Sequence, residues 1–145
     1  MQSVISATTS RAYGAPAKVS RRDAFLASAE SLLVAAHEEF EDGRADLAME
    51  SAYRAALRVA GAVVADSEAL RKRKRLPTSA WEKLALVGDS GKLWAARFRS
   101  YSRLRGRVVS GLEMHPDPAI VVRLLADAEE FYHEIHPGEA PLAAA

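Results

Sequence analysis

The feature that most constrains this chain is the spacing of its apolar residues. In several long segments they recur every three or four residues, with charged residues between them. That spacing places apolar side chains along one side of an α-helix, and no segment shows the alternation typical of a β-strand. The sequence therefore predicts an all-α protein, an antiparallel bundle of four long helices plus one short helix. Short connections between the long helices favour the antiparallel arrangement.

The first two helices are predicted from this spacing alone. The first extends from about Arg21 to Asp42, and Gly43 can adopt the left-handed conformation that commonly ends a helix. The second, from about Ala45 to Leu70, has apolar side chains over more than half of its circumference. A helix of that kind has neighbours on several sides, so we expect it at the centre of the bundle.

The last three helices begin at residues suited to capping. Ser79 and Glu82 have the spacing of a capping box, and Asp117 followed by Pro118 is typical of a helix start. We expect the inner face of the fourth helix to carry Trp94 and other aromatic residues. The predicted bounds are Ser79–Val87 for the short third helix, Asp89 or Ser90 to about Ser110 for the fourth, and Asp117–Ile135 for the fifth.

Three regions are predicted along the chain. Residues 1–20 and 137–145 are rich in small and polar residues or in proline and alanine, and we expect them to be disordered tails. Residues 21–136 are expected to form the helical-bundle domain. With 145 residues in all and 49% apolar residues, the chain can bury a full core without a disulfide or a metal.

Composition excludes several classes of protein. The chain has no cysteine, which excludes disulfides, cysteine–zinc sites and a cysteine nucleophile and is typical of a reducing compartment. It has neither the apolar run of a transmembrane helix nor the apolar middle of a secretory signal in its first twenty residues. We therefore expect a cytoplasmic protein that does not bind membranes. The net charge of +1 leaves any affinity for anions to local clusters of cations.

One such cluster follows the second helix. Five consecutive cations cannot lie in a core, so we expect a solvated connector between helices, ended by Pro77. The same cations could instead contact the phosphates of a nucleic acid, with an affinity that falls as salt concentration rises. We refer to these residues as the basic connector: Arg71, Lys72, Arg73, Lys74 and Arg75.

The fourth helix carries arginines in two kinds of position. Arg99, Arg103 and Arg107 follow one another at four-residue steps on the side opposite Trp94, and we expect them to point to water.

Arg105 instead falls inside the apolar stripe of the fourth helix, and Arg97 lies at its edge. A guanidinium there must be paired or must reach a cleft, because it stays charged. The sequence allows two interpretations of Arg105, an ion pair with Asp127 or Glu134 of the fifth helix and an anion-binding site between helices.

Histidine and glycine patterns give little support for a metal or cofactor. Glu130 and His133 form the only Glu-x-x-His step, whereas a di-iron bundle needs two such steps and further glutamates. Gly88-Asp-Ser-Gly91 is interpreted as a turn between helices rather than part of a serine-protease site. We therefore expect no metal and no cofactor.

The order of these features resembles a small actinobacterial family of HEPN-type domains (higher eukaryotes and prokaryotes nucleotide-binding). The resemblance covers about Arg21 to His136. It is carried by Ser79-Ala-Trp-Glu-Lys-Leu-Ala85 after an alanine-rich helix and a basic connector, by Leu93-Trp-Ala-Ala-Arg-Phe98, and by Leu124-Leu-Ala-Asp-Ala-Glu-Glu-Phe131. It implies an all-α bundle that is often dimeric.

The same resemblance implies what a catalytic member would contain. Active HEPN ribonucleases carry an arginine followed, after about four to six residues, by a histidine. Here seven residues separate Arg107 from His115 and nine separate Arg123 from His133, so no pair has that spacing. The resemblance therefore implies a divergent member, more consistent with a binding protein than with an enzyme.

Three functions follow as hypotheses. The first is a non-catalytic module that binds a protein partner or a second copy of itself. The second is an RNA- or nucleotide-binding protein that uses the basic connector together with Arg97 and Arg105. The third is a divergent, metal-independent ribonuclease in which Arg105 or Arg107 acts with His115.

Overall fold

The computed structural model describes residues 19–139, which form α-helices and no β-strand. This confirms the all-α prediction. Of the disordered tails predicted at residues 1–20 and 137–145, residues 1–18 and 140–145 lie outside the described residues, and residues 137–139 form a turn instead. The helices are α1 (Arg21–Glu41), α2 (Ala45–Ala65), α3 (Glu68–Arg71), α4 (Ala80–Ala85), α5 (Asp89–Val109) and α6 (Pro118–Ile135), followed by a 3-10 turn over Pro137–Glu139.

Several predicted helix ends are confirmed in atomic detail. The hydroxyl of Ser79 accepts a hydrogen bond from the backbone N–H of Glu82, and the carboxylate of Asp117 accepts one from that of Ala119. Such side-chain acceptors satisfy N–H groups that have no partner within the first helical turn. Gly43 has a φ of 80°, in the left-handed region that lets the chain reverse between α1 and α2.

Two boundaries differ from the sequence prediction. The second helix ends at Ala65 rather than Leu70, because the hydroxyl of Ser67 caps a separate turn, α3, by accepting from the Leu70 N–H. The predicted cap of the fourth helix is also wrong: α5 begins after Gly88, without a side-chain cap. Ser90 instead donates its hydroxyl hydrogen to Glu134 of α6, at 2.8 Å.

The centre of the bundle is α2, as its sequence predicts. Ten of its residues are buried, and it contacts α1, α4, α5 and α6. Many of them are alanines, whose small side chains let neighbouring helices approach closely. Gly61 also allows a close approach of α1, because a Cβ atom at this position would lie 2.7 Å from the ring of Phe25.

The remaining helices pack on α2 in two groups. α1 and α6 contact both α2 and each other, whereas α5 packs on α4 and α2 and meets α6 through its side chains. Aromatic rings fill the junction between the groups: Trp94 of α5 stacks on Phe98 and on Phe131 of α6, with ring centroids 5.6 and 4.9 Å apart. Trp81 of α4 stacks on Phe98 at 5.2 Å, so the short helix closes the core.

None of the helices formed by residues 19–139 is both long and apolar enough to cross a membrane.

Candidate functional site

Arg105 forms an ion pair with a residue of α2, whereas its sequence position suggested a partner in the last helix. Its Nε and Nη2 atoms donate hydrogen bonds to the two carboxylate oxygens of Glu50 in α2, each at 2.8 Å. Its guanidinium also lies over the ring of Tyr53, 5.0 Å from the centroid. The hydrogen bonds to Glu50 raise the pKa of Arg105 above its already high ordinary value. The ion-pair interpretation of Arg105 is therefore confirmed.

The predicted partners of Arg105 are wrong. Asp127 accepts a hydrogen bond from the hydroxyl of Tyr101 at 2.7 Å, and Glu134 accepts one from Trp94 Nε1 at 3.1 Å. The cause is the packing of α5, because the side that carries Arg105 meets α2, whereas the side that carries Trp94 and Tyr101 meets α6. Helical projection placed Arg105 on the correct side of its own helix but could not show which neighbour that side meets.

A polar chain continues from this ion pair into the core. The indole Nε1 of Trp81 donates a hydrogen bond to the hydroxyl of Tyr53, at 2.7 Å, and both side chains are buried. The helices α2, α5 and α4 are thus connected by four side chains, those of Glu50, Arg105, Tyr53 and Trp81. A buried polar group without a partner is costly, so these contacts fix how the three helices fit together.

Arg97 lies at the edge of the apolar stripe, as predicted. Its guanidinium lies 4.7 Å from the ring centroid of Trp94, and its Nη1 atom is 3.4 Å from Asp127 and 3.7 Å from Glu130. Burial, and next the hydrogen bond to Asp127, raise the pKa of Tyr101 well above its ordinary value. Arg97 and Tyr101 of α5 are therefore both paired with Asp127 of α6.

Two of the three residues named for a divergent ribonuclease, Arg107 and His115, lie near the turn between α5 and α6. Arg107 is exposed, as predicted for the outer side of α5, and its Nη2 atom is 4.0 Å from a carboxylate oxygen of Glu113. His115 is exposed in the segment that joins the two helices. Their joint catalytic role stays a prediction.

The five residues of the basic connector are all exposed, as predicted for a solvated segment. Arg71 bonds to Glu68 at 2.6 Å and donates to the carbonyl oxygen of Ala65, near the end of α2. Arg105 is held beside Glu50, fifteen residues before α2 ends, which corresponds to about 22 Å along a helix. Arg71 and Arg105, both predicted to bind anions, therefore lie toward opposite ends of α2.

An exposed apolar cluster was missed by the sequence analysis. Val109, Leu112 and Met114, which we call the turn cluster, are 61%, 70% and 68% exposed at the end of α5 and in the turn after it. Gly111, with a φ of 82°, reverses the chain in the middle of the cluster. The sequence did contain a signal for this cluster: large apolar residues continue past the end of α5, where no core position requires them.

Among residues 19–139, no group of three or more histidine, aspartate or glutamate side chains is placed to hold a metal ion. The side chain of His133 is exposed, as its helical position predicts.

The sequence of this bundle matches a known protein family. The family model of SAV_6107-like HEPN domains matches residues 44–136, which is more than half of the chain and extends from α2 to α6. No curated protein and no solved structure matched the chain. The matched residues include the basic connector, the Trp81 helix and the ion pair between Glu50 and Arg105. The chain belongs to the SAV_6107-like HEPN family.

Proposed function

We propose that this protein is a non-catalytic interaction module that pairs with a second copy of itself through the turn cluster. The observation that carries the proposal is the exposure of Val109, Leu112 and Met114, each more than half exposed, within six residues of one turn. Single exposed apolar residues are normal, whereas large exposed apolar patches mark interaction sites, and these three residues are close neighbours in the chain.

The surroundings of the arginines support a binding role over a catalytic one. An arginine that stabilises a reacting phosphate must be able to turn its guanidinium toward the substrate. Arg105 is instead committed to Glu50 through two hydrogen bonds, and Arg97 lies within 4.0 Å of Asp127 and Glu130. These carboxylates would compete with a phosphate and repel it.

The charges beside the turn cluster suit pairing of identical surfaces. In a twofold dimer each residue contributes twice, so the same patch must complement itself. Arg107 and Glu113 lie on either side of the turn and carry opposite charges. Across a twofold axis, each could face its opposite in the partner, while burial of the apolar side chains would contribute about 1.5 to 3 kcal/mol each.

Sedimentation velocity over a concentration series tests this proposal. We expect the full chain to form a dimer at concentrations on the order of 10 µM. Leu112→Asp combined with Met114→Asp should leave it monomeric, because two carboxylates would have to be buried without partners. Leu93→Asp is the matched control, since Leu93 is 71% exposed but lies at the other end of α5.

Circular dichroism and thermal unfolding of each variant verify that the bundle remains folded. A wild-type chain that stays monomeric up to about 100 µM contradicts the proposal. So does a dimer that survives both aspartates, since its interface must then lie elsewhere.

The two other functions considered from the sequence remain predictions. Binding of RNA should weaken with salt and after neutralisation of the basic connector, whose cations are exposed. Cleavage of RNA, if the divergent ribonuclease hypothesis is correct, should be lost in His115→Ala.

A further inference from the structure

A second surface, separate from the turn cluster, lies where the start of α1 meets the later half of α2. It is a groove of about 500 Å³, closed on its third side by the chain between α3 and α4. Its floor includes Leu70, which is 3% exposed, and Ala60, which is fully buried. The ring of Phe25 and the side chains of Leu57 and Leu76 extend this apolar lining.

Cations are the charged groups that line this groove. Arg21 comes from the first turn of α1, Arg71 from α3 and Lys83 from α4, and no lining residue among those described carries a carboxylate. Arg71 is partly neutralised by Glu68, which leaves Arg21 and Lys83 as the more available charges. The exposed basic connector continues from the same edge.

The types of side chain in the lining indicate what kind of ligand suits the groove. Single-stranded nucleic acids bind by stacking bases on free aromatic faces. Phe25 does not offer such a face, because its edge rests on Gly61 and the guanidinium of Arg21 lies over the ring, 5.8 Å from the centroid. The rest of the apolar lining is aliphatic, which suits the aliphatic side chains of a peptide.

The positions of the lining cations limit the choice of ligand further. A small amphiphile with one carboxylate could pair with one lining cation at a time. The lining cations come from three segments of the chain, so a ligand with several carboxylates suits them better. An amphipathic helix can place an apolar face in a groove and present several carboxylates on both sides of it. Opposite charge at the edges would also speed association and reject basic segments.

We propose that this groove binds an acidic amphipathic helix of a partner protein, with its apolar face on Leu57, Leu70 and Leu76 and its carboxylates toward Arg21 and Lys83. The site is distinct from the turn cluster and does not depend on self-association. A dimer formed through the turn would carry two such grooves.

Fluorescence anisotropy with the full-length protein tests this inference. The probe is a labelled peptide of about 16 residues with leucine at every third and fourth position and glutamate elsewhere. We expect saturable binding with a dissociation constant below about 100 µM. A peptide of the same composition, reordered so that its helix has no apolar face, should bind about tenfold more weakly or not at all.

Two matched charge-reversal variants locate the binding site. Arg21→Glu with Lys83→Glu should weaken binding of the probe about tenfold. Lys92→Glu with Arg103→Glu exchanges the same residue types at exposed positions of α5 and should change binding less than about twofold. Leu76→Asp, at a position that is 42% exposed, tests the apolar lining and should also weaken binding.

Three results would overturn the inference: no binding of the amphipathic peptide, equal binding of the reordered peptide, or equal weakening by the two charge-reversal pairs. Tighter binding of a single-stranded RNA of similar length, with the same dependence on Arg21 and Lys83, would assign the groove to nucleic acid instead. None of these results bears on the oligomeric state, so failure here is distinguishable from failure of the proposed self-association.

Discussion

Arg105, which the sequence allows either to bind an anion or to form an ion pair, is paired in the fold. A guanidinium in an apolar stripe needs a partner, and Glu50 supplies both of its oxygens while Tyr53 supplies an aromatic face. Charge-assisted, two-pronged hydrogen bonds of this kind are among the stronger polar contacts in proteins. The side chains of Arg105 and Glu50 are 33% and 29% exposed, so water still screens part of the interaction.

A double-mutant cycle on this pair is the first residue-scale prediction. Arg105→Ala and Glu50→Ala should each lower the free energy of unfolding by about 1 to 2 kcal/mol, because each leaves the other charge without its partner. The double variant should lose less than the sum of the two, by about 1 kcal/mol. Chemical denaturation monitored by circular dichroism measures all of these values.

Arg103→Ala serves as the control for this cycle. Arg103 lies on the exposed side of α5, two residues before Arg105, and its removal should change stability by less than about 0.5 kcal/mol. Strictly additive losses at Arg105 and Glu50 would mean that their contact contributes nothing. The residue would then be available for the anion-binding role that the sequence also allows.

At the scale of the elements, glycine positions decide how closely helices approach. A Cβ atom at Gly91 would lie 2.2 Å from the carbonyl oxygen of Leu84, so the first turn of α5 rests directly on the backbone of α4. Gly106, in the same helix, has open space around the corresponding position.

The same substitution at these two glycines should therefore have opposite effects. Gly91→Ala should destabilise the protein by about 1 to 3 kcal/mol, because α4 and α5 must separate to admit the methyl group. Gly106→Ala should stabilise it by up to about 1 kcal/mol, because alanine favours the helix over the unfolded chain. Thermal unfolding of the two variants compares them; a loss of stability at both positions would contradict the packing described for α5.

Local signals in the sequence predicted most of the elements. Ser79, Asp117 and Gly43 act within a few residues of the chain, and each begins or ends its helix as expected. Ser67 was missed because its hydroxyl competes with a helical continuation that the apolar spacing also allowed. The partner of Arg105 was missed for a different reason: the pairing of α5 with α2 depends on packing across the whole bundle.

At the scale of the molecule, the bundle described here extends beyond the family match. The match begins at residue 44, yet α1 packs along α2 and α6 and supplies buried core residues such as Leu33. At its start, Arg22 donates to the carbonyl oxygen of Ile135, at 2.6 Å, which joins the first helix to the end of the last. α1 is therefore an integral part of this fold.

The candidate binding surfaces illustrate what a sequence pattern leaves out. The exposure of the basic connector was predictable, since five adjacent cations must be solvated. The groove beside Phe25 was not, because its lining comes from segments far apart in the chain. The turn cluster is local, but its exposure depends on how the turn between α5 and α6 leaves the bundle.

Hydrogen–deuterium exchange at two protein concentrations tests the central claim, pairing through the turn cluster, most directly. Exchange at about 1 µM and about 100 µM should differ in residues 109–122, which become protected when a second copy covers them. The variant carrying Leu112→Asp and Met114→Asp should show no such difference. Identical exchange of the wild-type chain at both concentrations, or protection confined to another helix, would contradict the claim.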